Sequence, residues 1–328
     1  MFRLVASVGL IFISLCLGYF YRLHYLRPQD TTNHSRMSRL MTLRDLLQFV
    51  AFFIFIPVAA LLSLWGMPQP DHRLLCLPCL GLAAWILGGA FSLLAAKLLH
   101  YSRAATGSLF CCGTFTNIGA VGTLCCVIFL GEASIAYAAL YRLCEELVYY
   151  GLAIPIASRY KDPSTQANTV QGFKISRLLP LIILALGLGL TLNLLGVPRP
   201  DVFAHLAALL SIAACSMALF AIGLGLRLGR LLAYGQACGI IMLLKFALIP
   251  FCIITLAYFL GLGHIDNGLP LQIIAVLASM PVAMNALLPP ALLKLDLDLA
   301  NACFISSTLA LAFVLPWLVL VLLPKLGA

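Results

Sequence analysis

Two stretches of this sequence decide the fold: residues 111–122, which read CCGTFTNIGAVG, and residues 278–290, which read ASMPVAMNALLPP. Each lies in an apolar run long enough to cross a bilayer, yet each carries helix-breaking Gly or Pro residues and an Asn. In hydrocarbon an unpaired backbone N–H or C=O costs several kcal/mol, so a broken helix needs other protein groups to satisfy its backbone. The two stretches therefore predict interrupted membrane helices that are buried within the protein.

The composition of the chain is that of a membrane protein. Its 328 residues are 63% hydrophobic and 9% charged, with a mean hydropathy of +1.07. Soluble domains are only about 45–50% apolar. Because each membrane-spanning helix needs about 20 apolar residues, the sequence predicts ten spans. They cover residues 3–22, 46–66, 74–97, 105–130, 133–157, 177–196, 202–226, 231–260, 270–293 and 299–324.

The net charge of +9 reflects topology rather than a nucleic-acid partner. With ten spans, fourteen Lys and Arg residues fall on one side of the membrane and four on the other, while Arg142 and Lys245 lie within spans. The positive-inside rule then predicts a multi-pass protein of the cytoplasmic (inner) membrane with both termini on the outer side. Nearly all twelve Cys residues lie in spans, where Cys packs as a small hydrophobe, so we expect no disulfide framework and no metal site.

The polar linker at residues 161–176 divides the chain into residues 1–160 and residues 177–328, with five predicted spans in each half. An odd number of spans per half gives the halves opposite orientations, as in inverted-repeat carriers. We therefore predict an all-α polytopic membrane protein of ten transmembrane helices, arranged as a 5+5 inverted repeat whose helices 4 and 9 are broken and cross. The linker is expected on the cytoplasmic side.

Several short motifs resemble the auxin efflux carrier family of permeases: Gly18-Tyr19, Asn117 with Gly119 and Gly122, Ala218-Leu219-Phe220 with Gly223 and Leu226, and Met280-Pro281-Val282-Ala283 with Asn285. The resemblance extends over essentially the whole chain and implies the ten-helix fold of bile-acid and sodium/proton carriers. It further implies a scaffold of helices 1, 2, 6 and 7 and a moving transport unit of helices 3–5 and 8–10. Where the family commonly has a Pro in helix 4, this chain has Thr123 and Leu124.

A broken helix offers an anion site, because the half-helix that begins in the membrane exposes N–H groups and the positive end of its dipole. Two such ends near the midplane would bind a carboxylate and still release it, as no full countercharge holds it. The predicted substrate is a small organic anion. The predicted substrate-binding residues are Thr116, Asn117, Gly119, Gly122, Pro281 and Asn285.

Charged residues in two predicted spans form a second candidate site. Arg142 is placed to meet Glu145 and Glu146 on one face of span five, and Lys245 of span eight would complete a four-charge cluster. Two interpretations stay open: a structural ion network between the spans, or a proton-coupling carboxylate at Glu145 or Glu146.

The leading functional prediction is a secondary active transporter that moves a small organic anion by an elevator-like alternating-access mechanism. The sequence contains no phosphate-binding Gly-rich loop followed by Lys, which argues against ATP-driven transport by this chain. The alternatives are a sodium-coupled symporter of the bile-acid type and a membrane-embedded enzyme, although no catalytic residues can be named. We expect no cofactor other than a coupling H⁺ or Na⁺. The expected partners are the anion and the lipid bilayer, and a homodimer is left open.

Overall fold

The computed structural model describes residues 2–26, 33–67, 71–161, 179–226 and 231–326. Within these ranges the chain is helical, apart from turns and one isolated β-bridge. The predicted linker lies, beyond residue 161, outside the described residues. The α-helices are α1 (Phe2–Tyr25), α2 (Asn33–Phe49), α3 (Ile56–Trp65), α4 (Leu77–Leu98), α5 (Arg103–Thr114), α6 (Thr123–Leu130), α7 (Ser134–Tyr141), α8 (Glu145–Val148), α9 (Ile154–Ser158), α10 (Leu179–Leu194), α11 (Val202–Gly225), α12 (Gly235–Leu243), α13 (Ile249–Phe259), α14 (Leu269–Ala278), α15 (Leu288–Leu292), α16 (Leu297–Trp317) and α17 (Leu323–Leu326).

Six helical stretches in the described part of the chain are long and apolar enough to cross a membrane. They fall on the predicted spans one, two, three, seven, eight and ten. They are Leu4–Tyr25, Arg36–Trp65, His72–Leu98, Val202–Gly225, Gly235–Phe259 and Leu297–Leu326. The protein is therefore an all-helical protein of the membrane type. Predicted spans four, five and nine contain shorter helices, and the start of span six lies outside the described residues, so the ten-helix inverted repeat stays a prediction.

The chain divides into two compact units, and each unit combines segments from both halves of the sequence. The first unit comprises Met1–Pro70, Gly119–Ala136 and Pro180–Arg227, and the second comprises Asp71–Ile118, Tyr137–Leu179 and Leu228–Ala328. The helices of predicted spans one, two, six and seven belong to the first unit, together with α6. Unlike the predicted domains at residues 1–160 and 177–328, the two units are therefore not contiguous in sequence.

In the first unit, α1 and α11 cross at two glycines. A Cβ on Gly18 would stand 2.1 Å from the carbonyl oxygen of Phe220, and a Cβ on Gly223 would stand 2.2 Å from that of Leu15. Small residues let membrane helices approach closely enough for their backbones to touch. The crossing therefore requires Gly at both positions.

Four helical stretches in the described part of the chain widen into a π-helical turn just before a proline. The pairs are Val50–Phe55 with Pro57, Tyr149–Ala153 with Pro155, Leu244–Leu248 with Pro250, and Leu318–Leu322 with Pro324. Proline has no N–H to donate and its ring crowds the carbonyl four residues earlier. An extra residue in the turn relieves that crowding, and such π-bulges are frequent at functional sites. The third turn contains Lys245.

Candidate binding site at the two broken helices

Both stretches with predicted breaks are interrupted in the structure. In the first stretch α5 ends at Thr114, Phe115 is extended (φ −87°, ψ 128°), and helix resumes as a π-helical turn at Ile118–Gly122. In the second stretch α14 ends at Ala278 and helix resumes at Met284–Leu287. The second break has a local cause, because Pro281 cannot continue the hydrogen-bond ladder of α14.

The two interruptions pair with each other through their backbones, within the second unit. Thr116 and Val282 form an isolated antiparallel β-bridge. Two hydrogen bonds flank it: Asn117 N–H to Pro281 O at 2.8 Å and Ala283 N–H to Phe115 O at 3.2 Å. Each broken helix thus supplies acceptors for the other, which meets the demand that hydrocarbon places on an unwound backbone. We refer to residues 113–117 and 279–283, with their mutual bonds, as the crossing.

The crossing differs from the sequence-based expectation in how its amides are used. The N–H groups of Asn117 and Ala283 donate to the opposite segment, and the N–H of Val282 donates to Ser307 Oγ at 3.1 Å. The expectation that bare amides would hold the anion is therefore not met at these three residues. Each break was considered alone, and neither sequence shows the acceptors that the other segment provides for these three amides.

A lysine side chain supplies positive charge at the crossing. Lys245 is fully buried. Its Nζ donates to Gly113 O at 2.7 Å and to Thr116 Oγ1 at 2.7 Å, with Thr114 O at 3.5 Å. Two of these oxygens are carbonyls from the last turn of α5, where the helix dipole places partial negative charge. Three oxygen contacts match the three N–H groups of an ammonium.

Close packing of α4 against α5 shapes the floor of this site. A Cβ on Gly113 would stand 1.7 Å from Ser92 Oγ and 2.5 Å from the carbonyl oxygen of Gly88. Ser92 Oγ donates to Gly88 O at 2.7 Å, within α4. Because no side chain fits between the helices at residue 113, the carbonyl of Gly113 stays within reach of the Lys245 ammonium.

The structure does not form the predicted four-charge cluster. Arg142 pairs with Glu145 at 2.8 Å across a turn that interrupts predicted span five between α7 and α8. Among the described residues, no carboxylate lies within ion-pair distance of Lys245 Nζ, and Glu146 has no ion-pair partner. The prediction assumed that opposite charges within spans would find one another. Instead, carbonyl and hydroxyl oxygens of α5 and the crossing surround the ammonium.

The other predicted site residues occupy different surroundings. Thr116 and Asn117 are each only 6% exposed, whereas Asn285 is exposed and its carbonyl accepts from Tyr149 Oη at 3.4 Å. Pro281 is a buried member of the crossing. Gly119 and Gly122 are also buried but belong to the first unit. The structure therefore brings Thr116, Asn117 and Pro281 together in the second unit.

Two residues gain a role that sequence reasoning did not give them. Ser307 of α16 holds the amide of Val282, and nothing in the local sequence distinguishes it from a packing residue. Lys245 carried a usable signal, because a lysine in the middle of an apolar span is costly and usually marks a functional position. Its contact with the crossing joins residues far apart in the sequence, so residue spacing cannot predict it. Compared with protein-family models and with curated proteins, the sequence matches none.

Proposed function

We propose that this protein is a secondary transporter for a small organic anion and that the anion binds at the crossing beside Lys245. One observation carries the proposal: a fully buried lysine in an apolar helix with no carboxylate at ion-pair distance in the described chain. Holding an uncompensated charge in the membrane is costly, and such residues usually face a substrate or ion pathway. An anionic substrate would supply the missing countercharge.

The crossing suits reversible binding. Carbonyl and hydroxyl oxygens already hold the ammonium, so an arriving carboxylate would feel a positive charge that is shared rather than fully exposed. A site whose positive charge is partly shared in this way can bind an anion on one side of the membrane and release it on the other. Export of an anion from a negative cytoplasm gains about 2.3 kcal/mol per charge per 100 mV, so uncoupled efflux is feasible.

The mechanism we propose is elevator-like. Residues 113–117 and 279–283, together with Lys245, all belong to the second compact unit. A binding site contained in one unit can be carried through the membrane without being taken apart. The first unit would then act as the scaffold.

The position of Lys245 weighs against sodium coupling at the crossing. A Na⁺ site there would use carbonyl oxygens at the end of the broken helix. Two such oxygens, from Gly113 and Thr114, are within 3.5 Å of the Lys245 ammonium. A second cation in the same place would meet like-charge repulsion. No observation in the described residues favours the other alternative, a membrane-embedded enzyme.

A thermal-shift screen tests the proposal directly. The purified chain is heated with each member of a set of small carboxylates, and with the neutral amide of the same acid as its matched control. A ligand that binds only the folded state stabilises it by RT ln(1 + [L]/Kd). We expect at least one carboxylate to raise Tm while its amide does not. Equal shifts for acid and amide, or no shift across the set, would contradict an anion site.

The carboxylate found in this way is then assayed for flux in proteoliposomes, in sodium buffer and in choline buffer. We expect the same rate in both, whereas a strict sodium requirement would favour the symporter alternative. Binding is repeated on the Asn117→Ala, Asn285→Ala double variant. Undiminished binding there would contradict the predicted contact of the two asparagine side chains with the anion.

A further inference from the structure

The second unit contains a basic pocket that the proposed transport site does not use. It has a volume of about 440 Å³ and lies where α4 ends and α5 begins. Three of its lining residues are cationic or can become so: Lys97, His100 and Arg103. Leu93 and Leu94 are also among its lining residues. We refer to it as the α4–α5 pocket.

The local sequence explains why the three basic residues are close together. His100 adopts a left-handed conformation (φ 55°), and the next N–H, of Tyr101, returns to Ala96 O at 3.0 Å, which closes α4. Ser102 then caps α5 by accepting from Ala105 N–H at 3.3 Å. This tight connection, a helix C-cap followed at once by an N-cap, confines Lys97, His100 and Arg103 to one small region.

The positive charge of the pocket is not neutralised within the described part of the chain. No carboxylate lines the pocket, and none of the described residues forms an ion pair with Lys97, His100 or Arg103. Arg103 donates one bond, from Nη2 to the carbonyl oxygen of Arg159 at 2.6 Å, and this bond fixes the guanidinium beside the pocket. Like charges held together without a counterion indicate an anionic ligand.

The apolar side of the pocket narrows the choice of anion. α4 is part of the stretch His72–Leu98, which is long and apolar enough to cross a membrane, and the pocket lies at the end of that stretch. Leu94 is 52% exposed and Leu98, one residue beyond Lys97, is 66% exposed. A ligand there would meet basic groups at the membrane boundary and leucines toward the hydrocarbon. The positive-inside rule predicts that this end of α4 is on the cytoplasmic side, where basic pockets between membrane helices bind anionic lipid head groups.

We propose that the α4–α5 pocket is a binding site for one anionic phospholipid. Lys97, His100 and Arg103 contact the phosphate of the head group, and an acyl chain lies along Leu93 and Leu94. The shared chemistry is a phosphate anion, and the leucines assign it to a lipid rather than to a soluble phosphate. The site is independent of the crossing and would be present whether or not the protein transports an anion.

Native mass spectrometry of the full chain in detergent tests this site, with phosphatidylglycerol and phosphatidylcholine as probes. We expect one phosphatidylglycerol to be retained in preference to phosphatidylcholine. The Lys97→Gln, Arg103→Gln double variant should bind phosphatidylglycerol about thirtyfold more weakly, from roughly one factor of five to six per basic residue. Arg39→Gln with Arg44→Gln on α2 is the matched control, since it removes two positive charges on the same predicted side of the membrane.

If the control variant loses as much phosphatidylglycerol binding as the pocket variant, the lipid is held by general charge attraction, and the proposed site is wrong. Retention of both lipids alike would also overturn it. Glycerol 3-phosphate is the soluble probe: binding of it as tight as that of the lipid would assign the pocket to a free phosphate instead. If the double variant fails to fold, Leu94→Trp at an exposed position fills the acyl side. That variant should lose the lipid while glycerol 3-phosphate is unaffected, and unchanged lipid retention would contradict the proposal.

Discussion

Replacing Lys245 by Met is the most direct perturbation of the proposed anion site. Met has an unbranched side chain of similar length and no charge, so it can fill the same space in the widened turn before Pro250. The variant removes the only positive charge that the structure places against the crossing in the described chain. We expect anion binding to be lost while the fold persists.

The magnitude for binding follows from the contacts of the ammonium. Oxygens at 2.7 Å already occupy the first layer around Nζ, so the charge centre of a bound carboxylate would lie about 4 Å away. At an effective dielectric constant of about 20 that separation corresponds to roughly 4 kcal/mol. Losing it would weaken binding about a thousandfold.

The effect on stability should be smaller than a simple loss of hydrogen bonds would give. Removing the ammonium gives up two short bonds, each worth about 1.5–3 kcal/mol for a charged donor. It also relieves the burial of an uncompensated ion, which costs several kcal/mol. The two contributions are of similar size, so the free energy of unfolding should change by no more than about 2 kcal/mol.

Tm of the wild type and of Lys245→Met is measured with and without the carboxylate found in the screen. Leu244→Met is the matched control, because Leu244 is a buried neighbour in the same turn and the change conserves volume. We expect the control to keep the ligand-induced rise in Tm and Lys245→Met to lose it. A Lys245→Met protein that folds and binds the carboxylate with wild-type affinity would refute the role assigned to the ammonium.

Two further comparisons test the site and its charges. Gly113→Ala brings a Cβ to 1.7 Å from Ser92 Oγ and should lower the free energy of unfolding by about 1–3 kcal/mol. Gly239→Ala, in open space on α12, is the control and should raise the free energy of unfolding by up to about 1 kcal/mol. Equal Tm shifts for the two variants would contradict the packing argument. Glu145→Gln removes the carboxylate from its ion pair and should lower Tm, whereas Glu146→Gln, which breaks no ion pair in the described chain, should not. If either acid couples protons, its variant flattens the pH dependence of flux in proteoliposomes, and an unchanged profile for both ends the proton-coupling interpretation.

The sequence was most informative where the chemistry of one segment decides its own structure. Six of the ten predicted spans fall on helices long and apolar enough to cross a membrane, because length and hydropathy are local properties. The break at Pro281 is local for the same reason. Spans five and nine are divided into short helices, and whether they complete an inverted repeat stays a prediction.

The arrangement at the crossing could not be predicted, because it depends on which segments meet. Neither break alone reveals that Asn117 and Ala283 find backbone acceptors across the bridge. Likewise, charge complementarity suggested a carboxylate partner for Lys245, whereas folding places its ammonium against the carbonyl end of α5. The sequence identified the lysine as exceptional, and only the structure shows what it contacts.

Main-chain atoms hold the two broken helices together around Thr116 and Val282. A junction built in this way does not depend on the identity of most of its side chains. Val282 and Ala283 can therefore be exchanged for residues of similar size without separating the segments. Side chains at the crossing are thus open to redesign or to evolutionary drift one at a time, while the pairing of the two segments is maintained by their peptide groups.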